Sequence, residues 1–459
     1  MHYEKLQDGT VKCIEDEIPF EVPEGWAWCK LNDIYNFIDY RGATPTKITN
    51  GIPLVTAKNV KSGYIDYTID DYISEEEFKE RQQRGISKKG DILFTTEAPL
   101  GNAALADMEK FSAGQRLITF QQYGSKNELI NYVMLMFILS DFFQQQLYVN
   151  KTGSTVAGIK AAILKTLWIP VPPYNEQLRI SNTLKSAINL IDSISKNKEI
   201  LSTSISNTKS KILDLAIRGK IVPQDPNDEP ASVLLERIRA EKEELIKQGK
   251  IKRDKKESVI FKGDDNSYYE KIGDDIENID TEIPFNLPDN WIWCRGCSCF
   301  SGMETTKPQG EFFDYIDIDS IDNRLHCIKK TKRIPVIEAP SRASRAINSG
   351  SVLFSLVRPY LENIALIEEI HSHSIASTGF YVCNSNGLLL PDYMFYLMIS
   401  KYVVDGLNQY MKGDNSPSIS RNDIENWLYP IPPIDEQRRI CYILKTTFAT
   451  IEKLEESLI

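Results

Sequence analysis

Val171-Pro172-Pro173-Tyr174 differs at its first position from the Asn/Asp-Pro-Pro-Tyr/Phe motif with which amino-methyltransferases hold the amino group they modify. The leading side chain must hydrogen-bond that amino group, and valine has nothing to offer it. Ile431-Pro432-Pro433-Ile434 is poorer still. Magnesium-assisted cleavage needs carboxylates beside a lysine. Glu77-Phe78-Lys79 and Asp254-Lys255-Lys256 have that spacing, but in a chain with 26% charged residues such triplets read as solvated faces. Cys294, Cys297 and Cys299, with His371 and His373, could supply ligands to zinc, which takes about four at characteristic spacings; these spacings match none, so free buried thiols are expected. No Gly-x-x-x-x-Gly-Lys-Ser/Thr loop is present to cradle a nucleotide phosphate, and none of the four histidines has a nucleophile setting. The sequence therefore predicts no catalytic residue and no metal site.

The elements that would position a recognition surface follow from length and repetition. A chain of 459 residues predicts two or three domains. The net charge of −10 does not exclude nucleic acid, because DNA responds to local clusters of Lys and Arg. No apolar run is long enough for a membrane span, Met1-His2-Tyr3-Glu4-Lys5 lacks the order of a signal peptide, and the eight cysteines follow no disulfide framework; together these predict a cytoplasmic protein. An acidic block, with Asp264, Asp265, Glu270, Asp274, Asp275, Glu277, Asp280 and Glu282 against Lys271, is expected to be a solvated linker or a surface facing a protein.

The chain repeats itself. Ile18-Pro19-Phe20-Glu21-Val22-Pro23-Glu24-Gly25-Trp26-Ala27-Trp28-Cys29 returns 265 residues later as Ile283-Pro284-Phe285-Asn286-Leu287-Pro288-Asp289-Asn290-Trp291-Ile292-Trp293-Cys294. Gly90-Asp91-Ile92-Leu93-Phe94 returns as Gly350-Ser351-Val352-Leu353-Phe354, and Ile169-Pro170-Val171-Pro172-Pro173-Tyr174-Asn175-Glu176-Gln177 as Tyr429-Pro430-Ile431-Pro432-Pro433-Ile434-Asp435-Glu436-Gln437. After each Glu-Gln a heptad pattern begins: Ile180, Leu184, Ala187, Ile191, Ile194, Lys198, Leu201, Ile205, Thr208, Ile212 and Leu215 in the first copy, and Ile440, Leu444, Thr447, Ile451, Leu454 and Leu458 in the second. Alternating steps of four and three are the seam of a coiled coil, and the two helices are the natural partners. At 1.5 Å per residue the first helix would span about 63 Å and the second about 35 Å. Between the copies, 219–226 is a helix-breaking turn and 232–248 a charged helix. No counterpart of 211–267 precedes Tyr3, so an amino-terminal arm is expected to be absent or not encoded. Within each copy, 51–56, 91–96 and 117–120 read as strands, while 129–148 and its match 391–410 read as one buried helix each. Trp26, Trp28, Trp291 and Trp293 are expected as core anchors, since both copies repeat them between prolines.

The Pro-x-x-Trp-x-Trp-Cys opening, the Gly-x-x-Leu-Phe strand and the doubled Pro-Pro-x-x-Glu-Gln helix start resemble type I restriction-modification specificity subunits, over essentially the whole chain. The resemblance implies an α+β fold class: two tandem α+β target recognition domains separated by long conserved helices forming an antiparallel coiled coil. The expected segments are 1–173 and 269–433 for the recognition domains, 174–268 for the central spacer helices and linker, and 434–459 for a short carboxy-terminal spacer helix. It further implies a non-catalytic subunit that reads a bipartite target in double-stranded DNA and directs two methylation subunits and the restriction subunits to it. S-adenosylmethionine, ATP and Mg²⁺ would sit on those partners, with no cofactor on this chain. The alternative is an orphan or truncated two-domain DNA-binding protein without enzyme partners.

Reading bases requires hydrogen-bonding side chains on loops that enter a groove, and gripping phosphates requires positive charge. The candidates in the first copy are Arg41, Thr44, Lys58, Asn59, Lys61, Gln115, Arg116, Ser154, Thr155 and Lys160. In the second they are Arg342, Arg345, Arg358, Lys412, Asn415, Ser416 and Arg421. The polar loop that precedes Ile159 recurs before Ile419 and is the favoured contact site.

Overall fold

Each copy of the repeat begins and ends on one strand pair. Ala27–Lys30 runs antiparallel to Trp168–Val171, and Ile292–Arg295 to Leu428–Ile431, so the Trp-x-Trp-Cys opening is hydrogen-bonded to the Ile-Pro closing. The chain is thereby returned to its starting point just as Pro-Pro fixes an extended entry to the next helix. The computed structural model describes residues 2–6, 8–40, 44–68, 71–123, 129–153, 157–250 and 258–457. They divide into two compact units, Met1–Ser195 and Lys196–Ile459.

In the first unit an antiparallel sheet runs Tyr35–Asp39, Leu117–Gln122, Ile92–Thr96, Leu100–Leu105. Its core gathers Tyr35, Phe94 and Phe120 from the sheet with Met134, Phe143 and Leu147 from two helices. Each stretch expected as a single helix is two. Asn131–Ile138 stops and Asp141–Val149 restarts because the Ser140 hydroxyl accepts the Phe143 N–H; Ser400 does the same for Val403 between Pro391–Met398 and Lys401–Asn408. A serine cap satisfies donors that helix ends leave open, and so favours a break there.

The second unit carries a three-stranded sheet, Ile364–Leu366, Val352–Ser355, Phe380–Cys383, and a four-stranded one in which Phe312–Ile316 lies parallel to Ile375–Ser377. The acidic block is no linker. Ser258–Lys262, Tyr268–Ile272 and Asp275–Asn278 form a meander, and Glu270 in its middle strand is bound by the Arg295 guanidinium at 2.8 Å. Alternation of side chains across a strand lets one carboxylate turn inward while its neighbours stay solvated.

The helices follow the heptad reading in part. The long helix is Tyr174–Ile217, the charged one Ala231–Lys247 and the terminal one Ile434–Glu456. In the second unit the end of the long helix pairs antiparallel with the terminal helix: Lys209 reaches Glu455 at 2.7 Å, and Leu213 and Ala216 share a core with Ile440 and Leu444. Seam positions Ile191, Ile194 and Leu201, further up the long helix, are exposed.

The glutamine of Pro-Pro-x-x-Glu-Gln has a clear structural use. Gln437 Oε1 accepts the Leu390 N–H at 2.7 Å, while Nε2 donates to the carbonyls of Leu388 and Pro432. Gln177 repeats the arrangement, accepting from Ile130 and donating to Pro172. One buried amide thus ties the spacer helix to the loop before the paired helices. Trp291 and Trp293 are core anchors, 5% and 1% exposed, whereas Trp26 and Trp28 are only half-buried.

Candidate nucleic-acid interface

Both units build a corner from the same parts. The strand Ile92–Thr96 turns at Ala98, and Val352–Ser355 at Arg358; each residue has φ of 47°, a left-handed backbone uncommon outside glycine. A proline follows each. The recurring polar loop is fastened against this corner: the Ile159 N–H donates to the Thr96 carbonyl at 3.0 Å, and the Ile419 N–H to that of Leu356 at 2.9 Å. Bridges between Glu97 and Gly158, and between Val357 and Ser418, extend the contact. The loop's neck is closed by paired backbone bonds, Thr152 with Gly158 and Lys412 with Ser418. In the second unit the tip carries Asn415 and Ser416 outward, held at its base by bonds that cost it no side-chain donor.

In the second unit the corner concentrates cations. Arg358 is exposed and donates to the Asn415 carbonyl at 3.0 Å, while its N–H donates to Pro417. Lys412, Asn415 and Ser416 are exposed around it. Arg421 pairs with Glu425 one helical turn on. Arg345 is half-buried in Ala343–Ala346; its Nε has no hydrogen-bond partner among the described residues, and burial, followed by the nearby Arg421 charge, lowers its pKa. A half-buried cation beside another cation is an unfavourable arrangement that an anion would relieve. Arg342 is exposed at the start of the same strand, its carbonyl accepting the Thr378 N–H.

The first unit is more nearly neutral. Arg116, with φ of 64°, lies beside the corner: its carbonyl accepts the Thr96 N–H at 3.0 Å, and its guanidinium pairs with Glu97 at 3.0 Å. Gln115 donates to the Thr44 hydroxyl, and Lys160 is exposed at the start of Ala161–Leu164. The structure thus brings Thr44, Gln115 and Arg116 together, and sets Arg116 and Lys160 on segments bonded to the same strand end. Asn59 is a correction. It is 2% exposed, with its oxygen accepting from Thr56 and its nitrogen donating to the Asp66 carbonyl, so the amide is used inside its own loop. Lys58 is exposed and Lys61 lies 3.9 Å from Asp66 on that loop, which is fastened to Leu100–Leu105 by the Gly63 N–H. Arg41, Ser154 and Thr155 lie outside the described residues.

Two residues escaped the sequence reading. Glu97 neutralises Arg116, and Lys151, at the loop's neck, lies 3.4 Å from the Tyr148 ring centroid. Lys151 adjoins the favoured loop and was legible by position; Glu97 became legible only once the corner placed it. In the expected thiol cluster Cys294 and Cys299 are buried and Cys297 is half-buried, all three as free thiols, and burial raises the pKa of Cys299.

The comparisons with known proteins agree with one another. The model of the type I restriction modification DNA specificity domain matches residues 23–202. The chain is 26% identical to the type I restriction enzyme EcoAI specificity subunit of Escherichia coli, over 98% of this chain and 82% of that one. It is 24% identical to the EcoEI specificity subunit of Escherichia coli, over 99% and 83%. A solved chain from work on complex assembly and conformational transition of the type I R-M system shares the fold, with a TM-score of 0.59 over 96% of this chain and 94% of that one at 17% identity.

Proposed function

Because this chain belongs to the specificity subunits of type I restriction-modification systems, we propose that each of its two units reads one half of a bipartite DNA target through the polar loop and the corner beneath it. The chain is the non-catalytic, sequence-reading member of such a system. Double-stranded DNA is the ligand, two methylation subunits and the restriction subunits are the protein partners, and S-adenosylmethionine, ATP and Mg²⁺ act on those partners. Segments 1–173 and 269–433 serve as the two target recognition domains, with 174–268 and 434–459 supplying the spacer helices.

One observation carries the assignment of the site: the same loop is fastened to the same left-handed corner by equivalent backbone bonds in both units, at Ile159 and Ile419. Shared backbone with divergent side chains is what two readers of different half-sites need. In the second unit Arg345, Arg358 and Arg421 supply phosphate or guanine contacts, with Lys412, Asn415 and Ser416 at the tip. In the first, Thr44, Gln115, Arg116 and Lys160 take that place, and Arg116 must exchange Glu97 for DNA.

The test is long-read methylation sequencing of DNA from cells carrying the assembled complex. A split motif is expected, and exchanging residues 18–173 for those of another specificity subunit should alter one half only. Arg358→Ala should weaken binding by about 1–3 kcal/mol and relax one position of the other half. A contiguous motif, or an exchange that alters both halves, overturns the proposal.

A further inference from the structure

In the first unit Tyr3–Lys5 pairs antiparallel with Val11–Cys13 as a two-stranded hairpin. The pairing runs past the strands: the Ile14 N–H donates to the His2 carbonyl at 3.0 Å, and the His2 N–H donates to a Glu15 carboxylate oxygen. The His2 ring is thereby set beside Glu15, its Nδ1 3.1 Å from the same oxygen. Glu15 begins the single turn Glu15–Glu17, after which the chain runs on to Phe20 and Glu21. Phe20 is fastened to the Trp-x-Trp motif: its carbonyl accepts the Trp28 indole N–H at 3.2 Å, and its ring meets the Trp28 ring edge-on with 4.9 Å between centroids. That fastening returns Glu21 to the hairpin, so that His2, Glu15 and Glu21 each offer one ligand atom within 4.8 Å of the others.

The charges at this place are out of balance. Two carboxylates converge on one imidazole, and Glu21 is exposed with no hydrogen bond or ion pair among the described residues. The lysines of the hairpin and of Ala27–Lys30 do not answer it, because Lys12 is taken by Glu17 and Lys30 by Glu4. Carboxylates held together favour a bound cation. The spacing suits a metal: two ligands each about 2.0–2.2 Å from one zinc ion lie about 3.3–3.6 Å apart in tetrahedral geometry, and modest rotations of three solvent-facing side chains bring these atoms to that separation. The second unit repeats the scaffold without the ligands. The Tyr268 N–H donates to Asp280 at 2.9 Å and the Ile279 N–H to the Tyr268 carbonyl at 2.9 Å, so Tyr268, Asp280 and Asn286 stand where the first unit has His2, Glu15 and Glu21.

We propose that His2, Glu15 and Glu21 form a binding site for a divalent transition-metal ion, Zn²⁺ by its donor set, which staples the hairpin to the segment leading into the Trp-x-Trp motif. An imidazole nitrogen turns the site away from Mg²⁺ and Ca²⁺, which take oxygen ligands, and toward zinc. Three protein ligands leave the remaining position to water. The ion does in the first unit what the Arg295 guanidinium does in the second, where one positive centre satisfies Glu270 and Glu282 from separate segments. A two-stranded hairpin is marginal by itself, and metal binding that requires the folded site adds to its stability.

The untagged full chain is titrated with Co²⁺, whose visible ligand-field absorption reports its donors, and then with Zn²⁺. Saturation at one ion per chain is expected, with displacement by Zn²⁺ and none by excess Mg²⁺. Zn²⁺ should also raise the unfolding temperature of the first unit, since an ion held only by the folded state stabilises it. Loss of a group that merely orients a metal ligand costs about 10–100-fold in affinity; His2→Gln and Glu21→Gln remove ligands themselves and should each cost no less. Glu21→Gln breaks no hydrogen bond among the described residues, so without metal it should unfold as the parent does, which separates loss of the ion from loss of the fold. Absence of saturable absorption, affinity unchanged in either variant, displacement by Mg²⁺, or a thiolate-to-metal charge-transfer band, which would put the ion on cysteine, each overturns the proposal.

Discussion

Lys30 and Arg295 occupy the same place in the two copies, on the strand that pairs with the closing strand of each, and hold it differently. Lys30 reaches a single carboxylate, Glu4, at 2.8 Å, with the Trp168 ring 5.0 Å away. Its neighbour Glu17 is taken by Lys12 instead. Arg295 reaches Glu270 and Glu282 at 2.8 Å each, and also donates to the Asn426 carbonyl. The lysine is a point charge that satisfies one partner; the guanidinium is a planar fork that ties strand, meander and closing loop together at once. The same contrast runs through the units as wholes. In the second, tryptophans, helix seam and ion pairs are covered; in the first, the matching positions stand half open.

Three experiments sharpen or break that contrast. The largest effect is expected from the fork. Arg295→Met leaves Glu270, at 9% side-chain exposure, without its counter-ion, and should destabilise the second unit by about 3–5 kcal/mol in urea unfolding. Lys30→Met, whose pair is 22% and 27% exposed, should cost the first unit about 0–1 kcal/mol. Equal losses would show that the two openings are held alike. Next comes the helix seam: Leu444→Ala, in a fully buried position, should cost about 2–5 kcal/mol. Leu184→Ala, half-buried in the first unit, should cost clearly less.

The smallest effect is a pH dependence. Burial raises the pKa of Glu270, but its hydrogen bonds to Arg295 outweigh that and hold the carboxyl below its ordinary value of 4.5. A carboxylate depressed on folding adds stability that is complete above its unfolded pKa and is lost as pH falls through the folded one. Glu270→Gln should therefore flatten the acid limb of the thermal-stability profile for the second unit while leaving the first unchanged. An acid limb identical in both proteins would show that the pair contributes nothing to folding.

Much of this was legible in the residues. The repeat, the strand that leads to each corner, the helix entry at Pro-Pro-x-x-Glu-Gln and the location of the polar loop follow from spacing and side-chain type. The break at Ser140 was readable in principle, since serine caps helices, but the Leu, Met and Phe residues on both sides of it across 129–148 masked it. Asn59 could not be separated from an outward-facing asparagine, because Lys58 and Lys61 lie close to it in the chain and only the folded loop turns its amide inward. The acidic block is solvated as expected at Asp264, Asp265, Asp274, Asp275, Glu277, Asp280 and Glu282, but its strands and the burial of Glu270 were hidden, because Arg295, distant in sequence, draws that one carboxylate inward.

The sequence by itself determined that two similar domains recur, that each closes on the start of a long helix, and that no catalytic motif accompanies them; local patterns and repetition carry these, and they survive any packing. Tertiary structure alone decided which cations gather at a corner, which of two matching tryptophans has a partner for its indole N–H, and which helix seam is filled. Those outcomes depend on contacts between residues tens to hundreds of positions apart, as between Gln224 and Glu436, and nothing in a local pattern encodes who arrives opposite.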